Sequence, residues 1–348
     1  MHKARRVLLT GGGSGGHIIP NLAVASAIKY RAPGTRLLYV ASRSKLDSGL
    51  LKDSDIPFRR IFSGKLRRYF SWQNFIDPLF VLLGFLQSLR ILIGFRPRVV
   101  FSKGGFVSLP VVLAAFILRR KIILHESDSR MGLANRISAK LATKVCVGFP
   151  ELAGKSKKYV LTGNPIRSDI LSGKTEEGYK LTGFSQKLPI LLVWGGSQGA
   201  AQINALIDEN FEKWVKHFQI VHITGAGKSI KKEHPHYIRF EYLNEELKHI
   251  YAITDMIIGR AGANSLFEIA ALQKPNIIIP LQNADQLLNA TYFEKMGAAL
   301  VFKKGADLFD LASNLWQNKA LQSGMKSALK KLARPEAADE IARIILDQ

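Results

Sequence analysis

Short runs of apolar and β-branched residues punctuate this chain at near-regular intervals, and helical patterns fill the spaces between them. In the first half the predicted strands fall at 5–10 (RRVLLT), 35–40 (TRLLYV), 58–62 (FRRIF), 97–102 (PRVVFS), 121–126 (KIILHE) and 143–148 (TKVCVG). In the second half they fall at 189–194 (PILLVW), 218–224 (FQIVHIT), 238–242 (IRFEY), 255–259 (DMIIG), 275–280 (PNIIIP) and 298–302 (AALVF). Strands alternating with helices point to an α/β chain with parallel, doubly wound sheets.

The second half also repeats the opening of the first. VLLTGGGSGGHIIP at 7–20 is echoed by LLVWGGSQGAAQIN at 191–204, in each case an apolar strand, a glycine turn and a helix. Two such openings imply two similar domains, not one long sheet. The stretch 171–189 is polar, glycine-bearing and without apolar periodicity, as a connector would be. The predicted division is a first domain over 1–165, a linker over 166–188 and a second domain over 189–335.

With 348 residues the chain has room for two ordinary domains, and 47% hydrophobic with 22% charged residues suffices to bury a sizeable core. A single cysteine, Cys146, lies in an apolar run, which rules out an internal disulfide framework and fits a reducing, cytosolic setting. No signal peptide is expected, because the basic MHKARR is followed by an apolar run that breaks into glycines. The longest charge-free apolar window, 78–89, lies between Asp77 and Arg90. It is shorter than the ~20 residues a spanning helix needs, so no transmembrane segment is expected. Charge changes the picture more. A formal +23 attracts anionic surfaces, whether nucleic acid, acidic lipid headgroups or phosphorylated substrates.

Gly11, Gly13 and Gly16 stand in the G-x-G-x-x-G spacing directly after an apolar run. A glycine turn entering a helix offers bare backbone N–H groups at the positive end of the helix dipole, a cradle for phosphate. Doubly wound folds also need tight turns there for no other reason than connection. A dinucleotide site demands an acid ~20 residues on, at the end of the second strand. Here that strand runs into YVASRSK, with Arg43 and Lys45, and the first acid is Asp47. A phosphorylated cofactor could use Arg43, so an NADP-dependent oxidoreductase stays open on this loop alone. His17 stands where the turn becomes a helix, with Pro20 suited to the first turn. An imidazole there lies at the mouth of the crevice outside the carboxyl ends of the strands and can take a proton from an attacking hydroxyl. The alternative is a histidine that merely lines or caps the turn.

Seven motifs carry a resemblance to a known family: TGGGSGGHIIPNLAVA (10–25), SKGGFVSLPVVLAA (102–115), LHESDSRMGLANR (124–136), TGNPIR (162–167), GGSQGA (195–200), RAGANSLFEIAA (260–271) and the Q-x-x-N-A of DQLLNA (285–290). In that order they resemble the bacterial glycosyltransferases that move N-acetylglucosamine from UDP to undecaprenyl-pyrophosphoryl-muramyl pentapeptide (lipid I), making lipid II for peptidoglycan. The resemblance covers nearly the whole chain. It implies the GT-B fold, two Rossmann-like domains facing across a cleft, with the lipid acceptor in the first and the UDP-sugar in the second. A last helix, 336–348, would pack back on the first domain. No cofactor and no metal are implied, the diphosphate charge being carried by helix N-termini and backbone amides. The DSD at 53–55, set in polar sequence before a proline, then reads as a loop.

Position by position, the resemblance makes His17 the general base on the acceptor hydroxyl, in a single displacement that inverts the anomeric centre. Ser14, Gly15 and Gly16 would contact the donor, Arg167 and Ser197 would lie near the diphosphate, and Leu243 would read the uracil through its backbone. Ala263, Asn264, Ser265, Leu266, Phe267 and Glu268 would cradle the nucleotide, Glu268 accepting from the ribose hydroxyls. Ser265-x-x-Glu268 also has the pattern of a capping box, which needs no ligand. Gln286 and Asn289 would hold the sugar, and Gly104, Gly105, His125 and Glu126 would form an acceptor or phosphate loop. Two positions depart from the family. Asp128 stands where an asparagine is common, which alters charge and hydrogen bonding beside a sugar amide or diphosphate. QNADQ lacks the basic or histidine residue often found just before Gln286.

A lipid-linked acceptor requires contact with the membrane. The stretch 58–75 mixes cations with aromatics and 75–95 is apolar, the combination an interfacial anchor needs on an anionic surface. A buried helix with solvated arginines shares that pattern. The implied location is peripheral, on the cytoplasmic face of the bacterial membrane. A relative acting on another lipid, such as diacylglycerol, would share every nucleotide-side residue. Nucleic acid is not an expected partner, since no recognised module occurs and the aromatics are mostly aliphatic-flanked strand residues rather than a stacking platform.

Overall fold

The structure is a computed structural model that describes residues 5–64, 73–154, 156–167, 169–196, 200–228, 232–282 and 284–348. Two compact units result, Met1–Arg167 with Arg334–Gln348, and Ser168–Ala333.

The first unit runs β1 (Arg6–Thr10), α1 (Gly15–Arg31), β2 (Arg36–Ala41), α2 (Lys45–Lys52), β3 (Phe58–Arg60), α3 (Gln73–Phe95), β4 (Val99–Ser102), α4 (Ser108–Ile117), β5 (Lys121–Glu126), α5 (Leu133–Leu141), β6 (Lys144–Val147), α6 (Pro150–Ala153) and β7 (Tyr159–Leu161). All pairings are parallel, in the order β3-β2-β1-β4-β5-β6-β7. Its strands are apolar at successive positions because both faces are covered. Leu8, Val100 and Leu124 meet one set of helices, while Leu9, Phe101 and Ile123 meet α1 on the other side. The winding reverses between β1 and β4, which opens a crevice at their carboxyl ends.

Helix α3 lies against this unit. Gly84 sits so close to the Phe62 carbonyl that no side chain would fit, and Ser88 and Leu92 are buried. The opposite face leaves Leu79, Leu82, Leu83, Leu86 and Ile93 between 36% and 55% exposed, and α4 adds exposed Phe116 and Ile117. Asp77–Phe95 is long and apolar enough to cross a membrane, by length and composition alone. The sequence window stopped at Asp77 and Arg90, two charges that the helix carries within it. Arg59 and Arg60, expected to flank an anchor, belong instead to the edge strand β3 paired with β2. Residues 65–72 of that expected anchor lie outside the described residues.

The second unit runs α7 (Thr175–Thr182), β8 (Ile190–Trp194), α8 (Ala201–Glu209), α9 (Phe211–His217), β9 (Gln219–Ile223), β10 (Tyr237–Phe240), α10 (Leu247–Ile253), β11 (Met256–Gly259), α11 (Ala263–Leu272), β12 (Asn276–Ile278), α12 (Ala284–Lys295), β13 (Leu300–Val301), α13 (Leu308–Gln317) and α14 (Lys319–Leu332). Its sheet is also parallel, in the order β10-β9-β8-β11-β12-β13, with the reversal between β8 and β11. The stretch read as a bare connector contains α7, which packs on α10. Its buried positions are Gly178 and Thr182, so it shows no apolar stripe to detect.

The chain then returns to the first unit as α15 (Ala337–Leu346). Ile341, Ala342 and Ile345 join the core layer beside α1, and Asp339 pairs with Arg31 at the surface. At about 1.5–3 kcal/mol per fully buried large aliphatic side chain, the two isoleucines dominate, since exposed ion pairs contribute little.

Candidate active site

The β1–α1 turn is pinned from below by residues distant in sequence. Gly13 has φ +84°, and a Cβ there would come within 2.5 Å of the Phe106 ring. The buried Asp47 carboxylate accepts from Gly13 N–H at 2.9 and 3.1 Å, from Ser42 N–H at 3.1 Å and from the Ser42 hydroxyl at 2.6 Å. The Tyr39 hydroxyl donates to the Gly11 carbonyl at 2.9 Å, and the Asn21 amide donates to Thr10 O and to the Tyr39 oxygen at 3.1 and 2.8 Å. Asp47 is therefore a brace for the glycine turn, a role the sequence reading missed while testing it as a ribose acid. Its one local signal is Ser44, which caps α2 by accepting from Asp47 N–H. Ser14 is the N-cap of α1 but makes no side-chain cap, and the first turn, which includes Gly15 and Gly16, holds no acid. No acid of the helix itself offsets the positive end of its dipole.

His17 lies one turn into this arrangement. A Cβ on Gly105 would come 3.1 Å from its Cδ2 and Nε2, and Gly105 and Gly104 have φ of +82° and +92°. Both glycines follow β4, so the loops after β1 and β4 meet where the winding reverses. Burial, then the Lys103 charge, push the His17 imidazole down to about 4, with Asp47 acting in the opposite sense. The ring is neutral at physiological pH and able to accept a proton.

Lys103 itself is buried and donates to the Ser127 hydroxyl. Burial lowers its ammonium to about 8 against the pull of Glu126 and Asp128. Burial and the neighbouring Asp128 raise Glu126 to about 7. The Glu126 carboxylate accepts from Asp128 N–H at 3.1 Å, Gly132 N–H at 3.2 Å and the Asn135 amide at 2.9 Å. His125 is buried as well, its Nε2 2.9 Å from Gly163 O. The sequence reading put both on an acceptor or phosphate loop; here the Glu126 side chain folds the 127–132 turn and the His125 ring meets the stretch after β7. Strand ends covered on both sides turn such groups inward. Arg167, half-buried, closes the stretch after β7.

In the second unit the corresponding crevice is formed by the loops after β8 and β11. Gly195 and Gly196 follow β8, and Ser197 lies outside the described residues. Neither α8 nor α11 has a side-chain cap or an acid in its first turn. The N-cap of α11 is Gly262, which removes the capping-box reading, because Ser265 is already inside the helix. Ala263, Leu266 and Phe267 are buried, while Asn264 and Ser265 remain half-buried at the helix start. Glu268 is turned inward and accepts from the Tyr251 hydroxyl at 3.2 Å. Leu243 is buried in the loop between β10 and α10. The Gln286 carbonyl oxygen accepts from Leu281 N–H at 3.0 Å. Asn289, expected to hold sugar, is fully buried and donates to Ala261 O at 3.2 Å, so it braces the β11–α11 loop. Arg260, quoted in the motif but given no role, is a buried cation at this reversal point, donating to Gln202 Oε1 and Ile279 O at 2.9 Å each. Among the described residues, no group of three or more His, Cys, Asp or Glu could hold a metal ion.

Comparison with known proteins agrees with the two-crevice design. The glycosyltransferase family 28 N-terminal domain matches residues 7–147, and the glycosyltransferase family 28 C-terminal domain matches residues 190–341. The chain is thus a glycosyltransferase. The UDP-N-acetylglucosamine–N-acetylmuramyl-(pentapeptide) pyrophosphoryl-undecaprenol N-acetylglucosamine transferase of Lachnoclostridium phytofermentans is 40% identical over 354 residues, covering 98% of each chain. Its counterpart from Clostridium tetani is 43% identical over 308 residues, 86% of each. The chain belongs to this family of N-acetylglucosamine transferases. In fold it is similar to Acinetobacter baumannii MurG, with TM-score 0.76 and 24% identity over 99% of this chain and 100% of that one. Family membership leaves the oxidoreductase alternative without support.

Proposed function

We propose that this enzyme transfers N-acetylglucosamine from UDP-N-acetylglucosamine to the muramyl hydroxyl of undecaprenyl-pyrophosphoryl-muramyl pentapeptide, forming lipid II for peptidoglycan, with inversion at the anomeric carbon. The observation that carries the reading is a neutral His17 at the β1/β4 reversal, beside an uncapped helix N-terminus. His17 takes the acceptor hydroxyl proton, and the oxygen pair forms the new bond to the anomeric carbon. The bond from that carbon to the diphosphate oxygen breaks, its electrons leaving with UDP. The leaving charge is met by the starts of α8 and α11, which carry no side-chain cap, with Asn264 and Ser265 in the first turn of α11, and, by their place in the family motifs, by Arg167 and Ser197. Ser14, Gly15 and Gly16 contact the donor, and Leu243 reads the base through its backbone. Glu268, already holding Tyr251, accepts from the ribose. Gln286 meets the sugar, Asn289 acts through Ala261, and Gly104 and Gly105 approach the acceptor phosphates.

The enzyme meets its lipid acceptor peripherally at the cytoplasmic face of the membrane. The exposed strip Leu79, Leu82, Leu83, Leu86 and Ile93, with Phe116 and Ile117 beside it, supports this on a chain of net charge +23.

The test is transfer of labelled sugar to a lipid I analogue in detergent, by the wild type and by His17→Ala. Loss of a general base is expected to cost about 10²–10⁴-fold in turnover, with UDP-N-acetylglucosamine affinity unchanged. Undiminished transfer by the variant would remove His17 as the base. A wild type that binds UDP but does not transfer would redirect the reading to another acceptor, such as diacylglycerol.

A further inference from the structure

A buried ammonium at the centre of the first unit's crevice plays no part in the transfer steps. Lys103 is 1% exposed, and its Nζ donates to the hydroxyl of Ser127. The residues on either side of Ser127 are Glu126 and Asp128, the two acids whose charges act on it. Glu126 is committed to folding the turn, through Asp128 N–H at 3.1 Å, Gly132 N–H at 3.2 Å and Asn135 at 2.9 Å. The Asn164 amide adds a second tie, donating to Ser127 O at 3.1 Å. On its other side Lys103, the first residue after β4, lies against the His17 loop. Its N–H donates to Thr10 O at 2.9 Å, and its Cβ would lie 3.3 Å from a Cβ on Gly11. Lys103 thus touches the end of β1 through its backbone and the loop after β5 through its ammonium.

An acid at position 128 raises an electrostatic problem, because the substrates proposed above are phosphorylated and a carboxylate repels them. A buried cation without an acid is equally unfavourable. We propose that Lys103 and Asp128 act as one charge-compensated pair, Lys103 being the positioning residue that lets a carboxylate stand in the 126–132 loop without turning the acceptor phosphates away. The phosphorylated acceptor in this statement rests on the proposed function.

The test is a double-mutant cycle with Lys103→Met, Asp128→Asn and the two combined, assayed at pH 7.5 for transfer to a lipid I analogue. Methionine matches the length of the lysine stem and is at home in a buried site. Lys103→Met is expected to raise KM for the acceptor at least ~10-fold, or 1.4 kcal/mol, while KM for UDP-N-acetylglucosamine stays put. A merely structural loss would move both. Asp128→Asn in that background is expected to lower the acceptor KM by a similar factor, and in the wild-type background not to lower it at all. An unchanged KM in Lys103→Met, or a double variant as impaired as Lys103→Met, overturns the pairing. If Lys103→Met alone does not fold, the double variant, carrying neither charge, is expected to fold and transfer. Failure of the double on either count also overturns the proposal. Wild-type transfer is the control for the function itself. Without it the cycle is read in melting temperature, where Asp128→Asn must raise that of Lys103→Met.

Discussion

Substituting Asp47 by Asn tests whether the catalytic turn is held in place from beneath. The carboxylate receives three donors: Gly13 N–H, Ser42 N–H and the Ser42 hydroxyl. An amide oxygen in the position of Oδ2 keeps both Ser42 bonds and the 3.1 Å contact with Gly13 N–H, but the NH₂ replaces the 2.9 Å acceptor, donor against donor. The shorter arm of the Gly13 bond is lost, at the low end of the about 1.5–3 kcal/mol of a charge-assisted bond, and the remaining bonds fall from charged to neutral strength. A total near 3 kcal/mol is expected. For a unit of 150–250 residues each kcal/mol lowers the melting temperature by about 2–4 °C, so the first unit should melt about 6–12 °C lower. Activity should fall further than stability suggests, because Gly13 is held less tightly four residues before His17. Misplacing a catalytic group by ~1 Å costs about 100-fold. Calorimetry and steady-state transfer kinetics on the purified variant check both numbers. A melting temperature within ~2 °C of wild type, with kcat within ~3-fold, would refute the claim that Asp47 positions the turn.

Further outcomes follow from the same geometry. His17 and His222 are both held near 4, chiefly by burial, whereas unfolded histidine titrates near 6.5. At these two rings unfolding takes up protons between those values, so their contribution is level above about 6.5 and falls as pH drops toward 4, outweighing Glu126, which is raised to about 7 and acts in the opposite sense; a melting temperature that does not fall from pH 6.5 to about 4.5 would contradict the burial. Glu268→Gln removes the charge that accepts from Tyr251 and is expected to weaken UDP binding about 10-fold by calorimetric titration; equal affinity would confine Glu268 to an internal role. Leu82→Glu with Leu86→Glu should abolish co-sedimentation with anionic liposomes while UDP binding persists, since both residues belong to the first unit and the nucleotide is assigned to the second. Retained liposome binding would move the membrane contact elsewhere.

The strands were legible because parallel sheets are covered on both faces, so Leu8–Leu9 and Ile257–Ile258 are apolar at consecutive positions. Tyr159–Leu161 was not foreseen: β7 is a half-buried edge of three residues after a run of lysines, too short to carry a pattern. Helix α7 was hidden for the opposite reason, its packed positions being a glycine and a threonine. The glycine turn and His17 stood out because backbone geometry demands those residues locally. Asp47, Tyr39 and Asn21 did not, since the network they form is assembled from three elements and has no spacing to recognise. Lys103 was equally silent, because a lysine after a strand looks like any surface cation until the fold buries it. Arg260 and Asn289 were visible within family motifs, but which way they point is decided by burial.

The return of α15 to the first unit has a consequence for how the protein is made. Ile341, Ala342 and Ile345 fill a layer whose other members lie between Val7 and Cys146. Every residue of Ser168–Ala333 leaves the ribosome before them. At about 5–20 residues per second, that interval lasts on the order of 10–30 s. Through it the nascent first unit exposes the apolar groove beside α1, while the second unit, continuous in sequence, can close its own core without waiting. The half of the enzyme that is translated first is thus the last to finish folding, and it spends the delay in the state most dependent on chaperones.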